Sequence, residues 1–229
     1  MSQPTNVQDL KQSIRETALR CGRDPEEIRL VIVTKTVEPA GILEVYGAGE
    51  RDFGENRVQE WQEKKDLLPT DIRWHLIGHL QTNKVKFVVG NVALIQSLDR
   101  PALAAEIEKQ AKAKGVKEVP CLLQVNMSRE ETKFGCAPED VGTLMKAVAA
   151  ASSVRLRGLM TIGPLTDDTG RIRDCFRRTR ELFGSLKKEY PAHSWEVLSM
   201  GMSADYKIAI EEGANMLRIG SLIFPRGNV

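Results

Sequence analysis

Short apolar runs alternate with longer stretches whose apolar residues recur every three or four positions, and the alternation continues almost to the end of the chain. The clearest short run is Leu30-Val-Ile-Val33. Four apolar residues, three of them β-branched, predict a buried strand over Arg29–Thr34. Ahead of it, Val7, Leu10, Ile14 and Ala18 predict a helix over Val7–Arg20, stopped at Gly22, and Asp24-Pro25 opens a turn. Behind it come a helix over Pro39–Tyr46, closed by Gly47 and Gly49, and a brief second strand near Asp52-Phe53. Arg57–Leu67 is a polar helix with Val58, Trp61 and the following Leu68 as its inner side. The third strand is Arg73–Ile77, followed by a short helix over Lys84–Val89; the fourth is Ala93–Gln96, followed by a helix over Pro101–Lys114. The fifth strand, Val119–Val125, leads into a loop over Met127–Cys136 and a helix from Pro138 to about Ala151. The sixth, Val154–Met160, precedes a long helix over Arg171–Lys188 with Ile172, Phe176, Leu182, Phe183 and Leu186 apolar. The seventh, Trp195–Leu198, precedes a helix over Ala204–Glu212, and the eighth is Met216–Ile219.

A strand and a helix thus alternate eight times after an opening helix, which implies a parallel sheet. Eight units predict closure into a (β/α)8 barrel of the TIM type with an extra N-terminal helix, one α/β domain over residues 1–229. The chain is slightly shorter than the roughly 250 residues usual for such a barrel. An open doubly wound sheet is the alternative. It asks for a G-x-G-x-x-G turn after the first strand, where Thr34-Lys35-Thr36 stands.

Composition narrows the function classes. With 41% hydrophobic residues, 28% charged residues and a net charge of +2, the chain reads as an ordinary soluble protein without the basic stripe of a nucleic-acid binder. No apolar run approaches the ~20 residues of a membrane span, and the polar start Met1-Ser-Gln-Pro-Thr5 lacks a signal-peptide core. Cys21, Cys121, Cys136 and Cys175 are far apart and form no C-x-x-C pair. They are expected to be reduced thiols of a cytoplasmic protein, and no metal site is expected.

In a barrel the strand C-termini share one face, and active sites are built there. The unusual residues fall at those ends: Lys35, Gly54-Glu55-Asn56, His79 and Asn83, Asn126, Gly163-Pro164, Ser199 to Ser203, and Arg218-Ile-Gly-Ser221. Each has a plain explanation as a cap, a turn or a satisfied polar group; their shared location is the argument. A lysine at the end of an apolar strand can lose solvent, drop its pKa and attack a carbonyl, or can simply mark the strand edge. Ser203 precedes a predicted helix, where a hydroxyl and the first N–H groups can meet an anion. Gly220 admits close backbone approach and Ser221 adds a hydroxyl. The first and eighth strands are neighbours in a closed barrel. An amine on one and an anion cradle on the other suit a ligand with an aldehyde and a phosphate, and pyridoxal phosphate is such a ligand.

Seven motifs make a resemblance specific: Val33-Thr-Lys35-Thr, Phe53-Gly-Glu-Asn56, His75-Leu-Ile-Gly-His79-Leu-Gln81-Thr-Asn83-Lys84, Glu131-Thr-Lys133-Phe-Gly135, Gly158-Leu-Met160, Leu198-Ser-Met-Gly-Met-Ser203-Ala-Asp205 and Arg218-Ile-Gly-Ser-Leu-Ile-Phe224. Together they resemble the pyridoxal-phosphate homeostasis proteins, single-domain relatives of the alanine racemase N-terminal barrel. The resemblance implies a Schiff base on Lys35, a phosphate held by Ser203, Gly220 and Ser221, and Arg218 facing the pyridine nitrogen. It also implies that Asn56 and Ser199 line the pocket, with His79 and Lys133 as further candidates for its wall. Pro225 departs from relatives that often carry glycine there.

The function implied is a cytoplasmic, monomeric carrier that binds this small molecule and influences the balance of vitamin B6 and of amino and keto acids. It implies neither turnover nor a nucleic-acid or membrane partner. Recipient apo-enzymes are not identified by the residues. The alternative is a stand-alone racemase. A guanidinium at Arg218, which matches the arginine of alanine racemases, cannot protonate the ring nitrogen, so a racemase relies on two bases on opposite faces. The racemase's second base is a tyrosine from a C-terminal domain, whereas Val229 follows closely on the eighth strand and Tyr46, Tyr190 and Tyr206 fall on outer helices. A Schiff-base aldolase on the same barrel is a further rival that fold alone does not exclude.

Overall fold

The computed structural model describes residues 2–225, so residues 1 and 226–229 of the expected 1–229 unit lie outside it. Eight parallel strands close into a barrel in sequence order: β1 (Arg29–Val33), β2 (Asp52–Glu55), β3 (Arg73–Leu76), β4 (Leu94–Leu98), β5 (Val119–Gln124), β6 (Val154–Met160), β7 (Val197–Ser199) and β8 (Met216–Ile219). The barrel closes where β1 pairs with β8, Leu30 opposite Leu217 and Ile32 opposite Ile219. The expected (β/α)8 architecture is therefore the observed one.

The helices are α1 (Gln3–Arg20), α2 (Pro39–Gly47), α3 (Val58–Lys65), α4 (Val85–Val88), α5 (Pro101–Lys114), α6 (Val141–Ala150), α7 (Thr169–Glu189) and α8 (Tyr206–Glu211). The period of two in each strand sorts residues between two cores. Val31, Leu94, Leu122, Met160, Val197 and Met216 fill the barrel interior. Their neighbours in sequence, such as Ile32, Ile95, Leu123 and Leu198, point outward into the larger core under the helices. α8 has only six residues, and the opening helix α1 packs beside it and against α2, completing the ring. The Ser13 and Tyr206 hydroxyls meet at 2.9 Å, and the Arg23 guanidinium donates to the carbonyls of Ile210 and Ala214.

Where the boundaries depart from expectation, side chains decide them. α1 begins at Gln3, not Val7, because the Ser2 hydroxyl accepts from the Thr5 N–H. α7 begins at Thr169 because the Asp168 carboxylate accepts from the N–H groups of Gly170 and Arg171. α8 begins at Tyr206, not Ala204, because the Asp205 carboxylate accepts from Met202 N–H at 2.5 Å and folds residues 202–205 into a turn. β4 reaches Leu98, past the expected end at Gln96, through an irregular register against β5. Among the described residues no helix is long and apolar enough to cross a membrane. The four cysteine sulfurs are unpaired, and burial pushes the Cys136 thiol up to about 12 and the Cys175 thiol up to about 11.

Candidate functional site

A cavity of about 1270 Å³ opens at the C-terminal end of the barrel. Seven of the nine candidate site residues line it: Lys35, Asn56, His79, Ser203, Arg218, Gly220 and Ser221. Ser199 and Lys133 do not.

Lys35 continues the inward series Val31, Val33 along the first strand, and no other lysine lines this cavity. β1 stops at Val33, however, and the lysine falls in the turn beyond it, exposed and not desolvated as a strand-end position would make it. The turn is closed by Val37 N–H donating to Thr34 C=O at 3.0 Å, and its third residue, Thr36, has φ 61°. Such turns ask for glycine or asparagine there, and a β-branched residue costs on the order of 1–3 kcal/mol.

Opposite stand Gly220 and Ser221, directly after β8. A Cβ at Gly220 would sit 2.8 Å from the Val33 carbonyl, so only glycine lets this loop lie against the end of β1. The late start of α8 changes the phosphate argument. Ser203 is in a turn, and a six-residue helix supplies little dipole. What remains is a set of donors. Among the described residues, the backbone N–H groups and hydroxyls of Ser203 and Ser221, and the N–H of Ala204, have no hydrogen-bond partner. All three residues line the cavity, and unpaired donors on adjacent loops are the kind of group that can meet an anion.

Arg218 projects from β8 into the barrel, almost wholly buried, at the cavity floor. Its guanidinium donates to the Ser199 hydroxyl at 2.6 Å and to the Thr161 carbonyl at 2.8 Å. Burial lowers its pKa to about 10, opposed by the charge of Asp205, so it stays a cation at neutral pH. This explains the correction at Ser199. The last residue of β7 points inward one layer below the mouth, where its hydroxyl supports Arg218 instead of lining the pocket.

Ser199 is also the first link of a polar core that inspection of the sequence misses. Its hydroxyl donates to Gln96 Oε1 at 2.7 Å, Gln96 Nε2 lies 3.1 Å from His75 Nδ1, and His75 Nε2 lies 3.0 Å from Asp52 Oδ1. Arg73 closes the line on Asp52 from the opposite end of the barrel. Because the Arg218 guanidinium only donates, the donors from Arg218 through Ser199 and Gln96 point away from the cavity and meet those of Arg73 at Asp52; with Gln96 Nε2 donating to Nδ1, His75 presents an N–H at Nε2 to the carboxylate. The available signal is a polar residue at an inward position of a buried strand, as at His75 and Gln96.

Burial alone would push the Asp52 carboxyl up, but hydrogen bonds from Arg73 and His75 outweigh it and hold the group well below the ordinary carboxylate range. A carboxyl depressed by folding adds stability that is complete above its unfolded pKa, about 3.9, and is lost as pH falls through the folded value. Asp52→Asn is therefore expected to lower stability at pH 7. Its deficit against the parent protein should narrow as the pH falls below about 4. Urea unfolding at both pH values measures this; a deficit that is constant with pH would contradict it.

His79 forms the side wall. Its ring stacks on Phe134 with centroids 4.1 Å apart, and Nδ1 lies 3.3 Å from Asp99 Oδ2. Lys133 needs the second correction. Its ammonium donates to Gly163 C=O at 2.5 Å and pairs with Glu130 at 2.6 Å, so it braces the loop that carries Phe134 instead of facing the cavity. Asn126 holds the same loop by donating to the carbonyls of Glu130 and Lys133. Tyr46 bonds Asp71 and Tyr206 contacts Ser13, Tyr190 ends α7, and none of the three lines the cavity.

The arrangement joins one cavity lysine, a buried cation and a set of unpaired donors. Comparison with known proteins places the chain in a family. The family model for the alanine racemase N-terminal domain matches residues 6–225. A pyridoxal phosphate homeostasis protein of Aquifex aeolicus is 45% identical over 215 residues, 93% of each chain. One from Pseudomonas aeruginosa is 40% identical over 220 residues, 96% of this chain and 93% of its own. The solved structure of PipY from Synechococcus elongatus PCC7942, with PLP (pyridoxal phosphate) bound, has a TM-score of 0.80 at 34% identity and covers 92% of this chain and 99% of that one. Family model, relatives and fold converge: the chain belongs to the pyridoxal phosphate homeostasis proteins, built on the alanine racemase N-terminal domain.

Proposed function

We propose that this protein is a pyridoxal phosphate carrier that holds the cofactor as a Schiff base on Lys35 and influences the intracellular balance of vitamin B6 and of amino and keto acids. The observation that carries the reading is the placement of Lys35 and the unbonded donors of Ser203, Ala204 and Ser221 in one cavity whose floor is Arg218. The lysine amine condenses with the aldehyde, a C=N bond replaces C=O, and one water leaves. The cradle takes the phosphate, Arg218 offers a guanidinium N–H to the ring nitrogen, and Asn56 and His79 wall the ring. When bound, the cofactor supplies an electrophilic carbonyl and an electron-withdrawing ring.

The residues of this chain limit the chemistry open to the site. Arg218 does not surrender a proton, which leaves the ring a weak electron sink. Among the described residues no tyrosine lines the cavity to act as a base on the opposite face. The second point supports a carrier over a racemase. The test is the absorbance spectrum of the purified protein before and after borohydride, followed by mass spectrometry of the reduced lysine. A colourless protein without an adduct after incubation with pyridoxal phosphate would sink the reading.

We further place the carrier in the cytoplasm as a monomer. A single species of one chain's mass in sedimentation at micromolar concentration is expected, and a stable dimer there would refute the monomer.

A further inference from the structure

We propose that α3 is a clasp that holds the Lys35 turn in its strained shape, with Lys64 and Glu55 as positioning residues for the amine. The inference rests on the Schiff-base reading of Lys35.

Lys64 lies nearly buried behind the turn, away from the cavity lining. Its ammonium donates to the Thr34 carbonyl at 2.9 Å and to Glu55 Oε1 at 2.7 Å. The Thr34 hydroxyl donates to the same carboxylate oxygen at 2.7 Å, while Glu55 Oε2, also buried, has no partner. One oxygen is crowded with donors and the other is bare. Such a network does not satisfy charge evenly; it fixes the position of one ammonium. One helical turn earlier on the same face of α3, the Glu60 carboxylate faces the Thr36 N–H at a long 3.4 Å. α3 thus reaches the backbone on both sides of Lys35: the carbonyl before it and the amide after it. Between those grips stands Thr36, a β-branched residue at φ 61°. Buried ion pairs add little to stability against apolar replacements, whereas an unfavourable backbone angle persists only where its surroundings over-determine it. The clasp supplies that over-determination, and the strained turn sets the point from which the lysine side chain enters the cavity.

Three proteins test this: Glu55→Gln with Lys64→Met, Thr36→Gly alone, and all three substitutions together. The double change removes both charges at once, so no lone buried ion is left. The probes are pyridoxal phosphate, read by imine absorbance in stopped flow, and pyridoxine phosphate, which has no aldehyde, read by equilibrium dialysis. The wild-type borohydride adduct is established first. If the wild type forms none, the Schiff-base reading fails; if it does, the variants judge the clasp alone. The double variant is expected to form the imine about tenfold more slowly, as a misplaced reacting group does, with affinity for pyridoxine phosphate unchanged. Adding Thr36→Gly should recover most of that rate, because a glycine turn needs no grip. Without ligand, the clasp substitutions should lower the thermal midpoint more in the Thr36→Gly protein than in the native background, where relief of the strain at Thr36 offsets part of the loss. Unchanged imine kinetics, a parallel loss of pyridoxine phosphate binding, additive effects on the midpoint, or failure of the double variant to fold would overturn the proposal.

Discussion

Replacing Lys35 by alanine is expected to give a folded, colourless protein that borohydride does not label after incubation with pyridoxal phosphate. The fold should survive because the side chain is exposed and no hydrogen bond or ion pair to it occurs among the described residues. Substitutions of that kind change stability by about 0.5 kcal/mol or less. The loss of the adduct should be complete, because among the described residues no other lysine lines the cavity. Lys133 is held to Gly163 and Glu130, and Lys64 is buried in its pair with Glu55. Lys84 lies outside the cavity lining, beside Phe87. Non-covalent binding should persist, since the cradle and Arg218 are untouched. Visible absorbance, mass spectrometry of the reduced protein and equilibrium dialysis report the three quantities separately. An adduct that persists on Lys84 or Lys133 would show that the wrong amine has been chosen.

The barrel is legible in the chain because its signals are local. β6 and β8 have the expected ends, and Pro101 and Gly115 bracket α5 as a helix start and a left-handed stop. Seven of the site residues are legible for a related reason: parallel strands deliver their C-terminal residues to one face whatever the details of packing. Failures begin where a side chain's partner comes from elsewhere in the sequence. Ser199 and Lys133 stand in the right motifs, but the register of β7 and the fold of the loop after β5 turn them toward Arg218 and Gly163. The line from Ser199 through Gln96 and His75 to Asp52 draws on β7, β4, β3 and β2, and no periodicity in any one strand reveals that these residues meet. The clasp on the Lys35 turn escapes notice for the opposite reason. Lys64 sits in a polar helix of ordinary composition, and only the closed barrel reveals that its ammonium is buried.

Removing the two cradle hydroxyls, Ser203→Ala with Ser221→Ala, is expected to weaken pyridoxal phosphate binding more than loss of the lysine does. Each hydroxyl lines the cavity without a partner among the described residues, so its bond to phosphate replaces none within the protein. Hydrogen bonds to a charged group contribute about 1.5–3 kcal/mol each, so losing two costs roughly 3 kcal/mol or more, a hundredfold or greater rise in Kd. The imine competes poorly by comparison, because water reverses it. Pyridoxal, which lacks the phosphate, should accordingly bind native protein weakly, and the double variant should scarcely distinguish pyridoxal from its phosphate. Gly220→Ala probes the backbone half of the cradle. Its new Cβ would meet the Val33 carbonyl at 2.8 Å, so the loop must move and draw the unbonded amide of Ser221 away from its place. Affinity for the phosphate should fall, while affinity for pyridoxal stays near its already low value. Equilibrium dialysis of both ligands against the native, Lys35→Ala, Ser203→Ala with Ser221→Ala, and Gly220→Ala proteins measures all of this in one experiment. Equal affinity of the native protein for pyridoxal and pyridoxal phosphate would show that the loops after β7 and β8 hold no phosphate.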